Sequence, residues 1–392
     1  MWKHARYISF TKIIPVDNLT SPAAYAHSEQ ALTASAVNAR LEDIIRSAWE
    51  KNAQHFPHVQ ASDVLSLISH VGEQGVASSH GGKRLRALLL DQTARTFTKP
   101  EQRADLDTAA LRDLACAIEI FQTAALIHDD IMDAADTRRG APSAHKALEA
   151  LTKNPQQAQG LALMLGDLLA TLSIRTAHSA SANLPHGDAI FQAFLDMHDQ
   201  VELGQIMDVS MESLDLSSHA DTEKFEDSIT ATYLNKTASY TTVAPMLMGG
   251  LAAGSLLTSR LAHDVGSTLG LAFQIHDDLL DLVSTQQKTG KPLYGDIREG
   301  KRTYILAQAL KRANDADRAF LVQQFMRDER TPQATQQIRA IFLSTGAIDA
   351  AVEKLDELWT QAAHEVLAAC MSQDVNPEDA QQYISFCQRF VA

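Results

Sequence analysis

Cysteine is almost missing: the chain has three in 392 residues, Cys116, Cys370 and Cys387. Three scattered thiols make neither a disulfide framework nor a CxxC metal site, and a reducing, cytoplasmic setting is expected. Strand-like alternation of apolar and polar residues is nearly absent, which leaves an all-α protein. No run approaches the roughly 20 apolar residues of a membrane span. The opening MWKHARYISFTKIIPV holds no apolar stretch long enough for a signal peptide. Membrane contact is therefore expected to be peripheral. Net positive charge is missing too: 34 Lys and Arg against 48 Asp and Glu give −14. That argues against nucleic acid or an anionic membrane as a general partner. An anionic substrate would have to be met by locally concentrated cations.

What is present is helical period. With 45% hydrophobic residues the chain can build one large core. No linker or charge run divides it, so the expectation is a polar arm over 1–39 and a single domain over 40–392. Leu111, Leu114, Ala115, Ile118, Phe121 and Ala125 recur at steps of three and four, which predicts a helix over 109–133 stopped by Gly140 and Pro142. Similar patterns predict helices over 157–178, 189–213, 225–249, 259–283 and 302–325. Several are apolar around most of their circumference, as in the interior of a helix bundle.

One pattern occurs twice. Residues 126–133 read LIHDDIMD and residues 274–281 read QIHDDLLD, with Asp129 and Asp277 148 positions apart. On a helix Asp129 and Asp133 share a face, as do Asp277 and Asp281, while Asp130 and Asp278 sit one step round. If the two helices face each other, their carboxylates form two acidic walls. All-oxygen sites of this kind suit Mg²⁺, which also binds substrate phosphates. A solvated acidic helix end is the plain alternative, and the repeated I-H-D-D context argues against it. His128 and His276 point away from the carboxylate face and are read as packing residues or as supports behind the ligands, rather than as metal ligands. HD dipeptides recur at His198–Asp199 and His263–Asp264, so they give little support to a His-Asp phosphohydrolase.

Positive charge is placed beside these walls. Arg138 and Arg139 follow the first motif, in DTRRG. HGGKRLR (80–86) offers a Gly-Gly turn with Gly82, Lys83 and Arg86, able to hold a phosphate group with backbone amides and cations. KTGKPLYGDIREGKR (288–302) supplies Lys291 and Lys301. Lys236 lies inside an apolar helix, where an unpaired ammonium is costly, so it should face a polar interior.

Together, GGKRLR, Gln122, DDIMD with RRG, LGDLL (165–169), GQ (204–205), KT (236–237), FQIHDD (273–278) and GKPLYGDIREGK (290–301) resemble, in order, the trans-type polyprenyl diphosphate synthases. The resemblance covers roughly residues 40–330. It implies a bundle of mostly antiparallel helices around a deep cavity, a homodimer, and three Mg²⁺ ions. It further implies metal binding by Asp129, Asp133 and Asp277, with Asp130, Asp278 and Asp281 nearby. Arg138, Lys236, Lys291 and Lys301 would grip an allylic diphosphate. Lys83, Arg86, Arg139 and Gln122 would hold isopentenyl diphosphate, and Lys236, Thr237 and Gln274 would steady an allylic cation. Many relatives have His at position 122 and Pro at position 87; here they are Gln and Ala.

Chain length should be set by the helix before the first motif. Ala124 and Ala125 leave a tunnel open where an aromatic ring would block it, and Phe121 is a candidate floor one turn deeper. A turn is about 5.4 Å, of the order of one isoprene unit, so geranylgeranyl diphosphate or longer is expected. Three alternatives are weighed. A farnesyl synthase would need a nearer floor. A class I terpene cyclase would carry an Asn/Ser/Glu motif in place of the second DDxxD. A silent partner subunit tends to lose one acidic motif, and here both are intact.

Overall fold

Many helix starts in this chain carry their own side-chain cap. Thr33 accepts the amide of Ala36, Asp107 those of Ala109 and Ala110, and Asn154 that of Gln157 just before Pro155. Thr303, Asn314, Thr331 and Asn376 do the same further on. Such caps satisfy amides that the helix cannot, and proline suits the first turn.

The computed structural model describes residues 31–54, 59, 61–216, 222–255, 258–283, 294–327 and 329–392. Helices run α1 Ala34–Ala53, α2 Ser62–Ser79, α3 Leu85–Phe97, α4 Thr108–Met132, α5 Ala144–Thr152, α6 Pro155–Ser181 and α7 Gly187–Met211. They continue as α8 Thr222–Thr232, a π-helical segment Tyr233–Val243, α9 Ala244–Ala252 and α10 Thr258–Val283. The chain ends with α11 Gly295–Glu299, α12 Tyr304–Arg312, α13 Asp315–Phe325, α14 Pro332–Ser344, α15 Ala347–Ser372 and α16 Pro377–Cys387. The described residues hold one small antiparallel pair, Thr137–Arg138 with Ala141–Pro142. The fold is all-α.

The core forms two clusters. One gathers α1, α2 and α4–α7 around Leu41, Leu111, Leu114, Ile118, Leu165 and Phe194. The other gathers α8, α10 and α12–α16 around Leu269, Ile275, Leu306, Phe342, Leu358 and Phe386. Helices α3 and α9 give residues to both clusters: Leu90 and Met248 to the first, Leu89 and Met246 to the second. Each fully buried Leu or Phe contributes roughly 1.5–3 kcal/mol. The first acidic motif ends α4, in the first cluster, and the second ends α10, in the other.

Three expectations shift. Helix α1 begins at Ala34 and buries Val37, so helical structure starts inside the expected arm, of which residues 1–30 lie outside the described residues. The pattern over 302–325 is two helices, because Asn314 caps a new start after α12. Helix α6 is long and apolar enough to cross a membrane by length and composition alone. Its Ala158, Ala162, Leu165 and Leu169 are buried against the first cluster, while Leu163, Met164 and Leu168 stay exposed.

Candidate active site

Helix α4 stops where its carboxylates crowd. Asp133 is its C-cap, and the chain then turns back through the short hairpin, with Arg139 (φ 54°) and Gly140 (φ 78°) in left-handed backbone. That turn returns Arg138 to the motif. Its Nε donates to Asp130 Oδ1 at 2.7 Å and its Nη2 to Asp129 Oδ2 at 3.2 Å. Lys236 Nζ reaches Asp129 Oδ1 at 3.1 Å and Asp208 Oδ2 at 2.5 Å. Lys301 Nζ lies 3.0 Å from Asp133 Oδ2 and 3.1 Å from Glu299. Each acid of the first wall thus has a cationic partner. Burial opposes ionisation of Asp129, but Lys236, Lys301 and Arg138 outweigh it and hold the carboxyl at about 2. Asp130 and Asp133 are raised instead, mainly by burial. Lys236 and Lys301 are raised: burial works against their charge, and the surrounding carboxylates outweigh it.

Lys236 can reach this wall because its backbone sits in the π segment, whose wider turns are frequent at functional sites. Gly204 of the GQ pair lets α7 press against it. A Cβ on Gly204 would lie 2.2 Å from the Lys236 backbone nitrogen, so the backbones would have to separate. Gly204→Ala is expected to destabilise the fold by about 1–3 kcal/mol and to lower turnover along with it. Denaturant unfolding and steady-state rates check this, and full activity at unchanged stability would contradict it.

The second wall is less uniform. Asp277 lines the cavities described below and makes no ion pair among the described residues. Asp278 is buried with both oxygens in use: Tyr233 Oη donates to Oδ2, and Gln274 Nε2 to Oδ1 at 2.8 Å. Burial pushes its carboxyl up to about 7 despite those donors. The network continues from Thr237 Oγ1 to Gln274 Oε1 (2.7 Å) and from the Tyr304 amide to Tyr233 Oη (3.0 Å). Asp281 accepts the amides of Gly295 and Asp296 at 3.0 and 3.1 Å, fastening α11. Asp130, Asp278 and Asp281, expected as ligands or near-ligands, are engaged by the protein itself. Burial drives Asp130 and Asp278 to seek partners, and the α11 amides take up Asp281.

Two cavities meet here. The first, about 330 Å³, is lined by Asp129, Arg138, Asp208, Lys236, Thr237, Gln274 and Lys301, with Ala125, Leu126, Val201 and Tyr240 below them. The second, about 470 Å³, is lined by Gly82, Lys83, Leu280, Asp281 and Arg389. Arg86, Gln122, Arg139, Phe273, Asp277 and Asp296 line both. Arg86 is turned inward. Its guanidinium stacks 4.1 Å from the Tyr240 ring centroid and donates to Thr241 Oγ1 at 2.7 Å. With its amide set to satisfy both neighbours, Gln122 donates to Glu119 Oε2 (3.2 Å) and accepts from Arg86 Nη1 (2.9 Å). Glu119 is anchored by Arg84 at 2.9 Å, with both side chains 1% exposed. Arg139 donates to the carbonyls of His80 and Gly81, so it holds the Gly-Gly turn. Lys291 lies outside the described residues.

Ala125 lines the cavity, but Ala124 is buried in the first core cluster and faces away. Phe121, one turn deeper, stacks on His198 with centroids 4.0 Å apart. Burial lowers the His198 imidazole to about 4. Between its ordinary value near 6.5 and about 4, the unfolded chain binds a proton here that the folded chain refuses. Stability should therefore fall as pH drops through that window, by up to about 3 kcal/mol. His198→Phe should flatten this slope in urea unfolding at a series of pH values, and an unchanged slope would assign it elsewhere.

The sequence reading missed Asp208, although its place four residues after Gly204 on one helix face was a usable signal. It also missed Tyr233, Glu119 and Arg84, which act through side chains on other helices. His128 lies over Gly166, where a Cβ would be 2.2 Å from its Nε2, and sits 3.3 Å from Asp167, whereas His276 lines the second cavity.

Comparison with known proteins agrees with this geometry. The family model for polyprenyl synthetase matches residues 71–342. The chain belongs to the polyprenyl synthetase family. It is 31% identical to the geranylgeranyl diphosphate synthase of Sulfolobus acidocaldarius over 62% of its length and 67% of that protein. It is 34% identical to a short chain isoprenyl diphosphate synthase of Methanothermobacter thermautotrophicus, over 63% and 70%. A crystal structure of geranylgeranyl pyrophosphate synthase from Corynebacterium glutamicum, complexed with isoprenyl diphosphate and magnesium, superposes with a TM-score of 0.77. It has 25% identity and covers 92% of this chain and 99% of that one. As a member of the family, this chain is a prenyltransferase that forms a polyprenyl diphosphate.

Proposed function

We propose that the first cavity takes the allylic diphosphate and the second isopentenyl diphosphate, and that the product is geranylgeranyl diphosphate. The observation that carries this is the shared wall: two cation-lined cavities adjoin through Arg86, Gln122, Phe273 and Asp277, so two diphosphates can lie side by side. Asp129, Asp133 and Asp277 would hold three Mg²⁺ ions. The donors fit: they are hard carboxylate oxygens, balanced by Lys and Arg tips at Asp129 and Asp133 and by no ion pair among the described residues at Asp277. When bound, such ions offset charge on a leaving diphosphate.

The protein's own part follows. Arg138, Lys236 and Lys301 move from carboxylates to the allylic diphosphate, joined by Lys291, and grip it as the C–O bond ionises. Lys83, Arg86 and Arg139, with Gln122, orient isopentenyl diphosphate so that its alkene attacks the cation. Thr237, Gln274 and the Lys236 carbonyl steady that cation by their dipoles. A proton then passes to the released diphosphate. Ala125, Leu126, Val201 and Phe273 keep the cation dry.

The test is incubation with Mg²⁺, isopentenyl diphosphate and, separately, dimethylallyl, geranyl and farnesyl diphosphates, followed by sizing of the dephosphorylated products. A ladder ending at twenty carbons is expected, with no product in chelator. An end at fifteen would make it a farnesyl synthase. No elongation by folded protein would favour a non-catalytic partner subunit.

We further propose a cytoplasmic homodimer that touches membranes only through its product. The exposed faces of α6 and α7 support the dimer, with Leu163, Met164, Leu168, Leu203 and Ile206 bare on long helices. Light scattering should give twice the chain mass, and Leu203→Glu with Met164→Glu should give the monomer mass. A monomeric parent chain would refute this.

A further inference from the structure

The stripe of α7 that lines the first cavity does not stop at the cavity. Asp208, Gln205 and Val201 descend at steps of three and four along its wall. The next positions on the same stripe are His198 and Phe194. On α4 the matching descent is Asp129, Ala125 and Phe121, about 12 Å in all at 1.5 Å per residue. At that depth the two stripes meet: Phe121 and His198 stack at 4.0 Å, and Tyr240 of the π segment stands edge-on to Phe121 at 6.1 Å and 82°. His198 is 5% exposed and lies against Ser173 Oγ on α6 at 3.2 Å. Below it comes Phe194, fully buried, with centroids 4.9 Å apart.

We infer that His198 on α7 is a specificity-determining residue: it closes the elongation cavity from the side opposite Phe121, and Phe194 is the next floor one turn down. This rests on the elongation reading above. A growing chain presses against a floor made by two helices, so removing either half opens it. Phe121 alone does not form it, because its ring is held by the His198 ring. Burial keeps the imidazole neutral, so the floor is apolar in character at working pH. The hydrogen bond to Ser173 fixes its rotamer, which a purely aliphatic residue would lack.

Three variants test this: His198→Ala, His198→Val as the gentler truncation should alanine fail to fold, and His198→Phe as a ring-preserving control. All are assayed beside the parent chain with farnesyl diphosphate as primer, and the products are sized. Truncation should move the end of the ladder by one five-carbon unit, from twenty to twenty-five carbons, because one helical turn opens before Phe194. His198→Phe should leave it unmoved. A residue that merely supported the fold would slow turnover and leave the ladder where it was, and that result in both truncations would overturn the inference. Lengthening by His198→Phe to the same extent would overturn it as well. If the parent chain itself does not elongate, the functional reading fails; a parent ladder with unmoved variants sinks this inference alone.

Discussion

Asp129→Asn should lower turnover at saturating substrates by about 10²–10³-fold, the usual loss when one preorganised charge contact to a transition state is removed. Asp129 stands where the first wall concentrates its electrostatics: two cations touch it, and its carboxyl is held ionised at about 2. Asparagine keeps the shape and loses the charge. The fold should survive, because Arg138 keeps Asp130 and Lys236 keeps Asp208. Steady-state kinetics with Mg²⁺ varied, beside a thermal scan, separates lost chemistry from lost structure. Turnover unchanged within error would remove Asp129 from the reacting site, and collapse of the fold would make it a structural acid.

Glu119→Ala should be the most damaging single change to stability away from the cavity floor, costing about 3–5 kcal/mol, because it strands a buried guanidinium. Arg84 has no way out. It is enclosed with its partner, in left-handed backbone at the start of α3, and its other donors go to Asn38 and the Ser79 carbonyl. Removing both charges together, as in Arg84→Met with Glu119→Leu, should recover much of the loss, since well-packed apolar pairs replace buried ion pairs at little cost. Denaturant titration with unchanged slope would read this out. The same acid also orients Gln122, and through it Arg86. The single variant should therefore raise KM for isopentenyl diphosphate more than KM for the allylic substrate. Equal rises would deny it that positioning role.

The parts of this site that were legible in the sequence are those that lie within one helix. Spacing of four along α4 and α10 predicts two acidic faces whatever surrounds them, and the helical period around Ile118 and Phe121 predicts a core. What was not legible depends on packing between helices. Asp278 and Asp281 read like Asp277, yet Tyr233 and the α11 amides reach them from other elements and take up their oxygens. Arg86 reads as a cation beside Lys83, but its stacking on the Tyr240 ring, which comes from the π segment, could not be read there. Ala124 and Ala125 are neighbours in sequence and face opposite surroundings, because a helix turns about 100° between them. The ring cluster of Phe121, His198 and Tyr240 is the clearest case, since its members come from α4, α7 and the π segment. The break in 302–325 was legible and passed over: KRANDADR (311–318) interrupts the apolar pattern, and its Asn314 caps the next helix.

The pairing of every first-wall carboxylate with a lysine or arginine bears on how ligands arrive. A divalent ion approaching alone must compete with three tethered cations, and a diphosphate approaching alone meets cations already satisfied. Each arrival by itself leaves charge unmatched. With both present, Asp129 and Asp133 would be free to hold metal while Arg138, Lys236 and Lys301 turn to phosphate oxygens, so that each charge would keep a partner. By linkage each ligand then tightens the other by the same factor. On the proposed function, the resting wall would act as a coincidence detector, favouring metal and diphosphate together over either component alone.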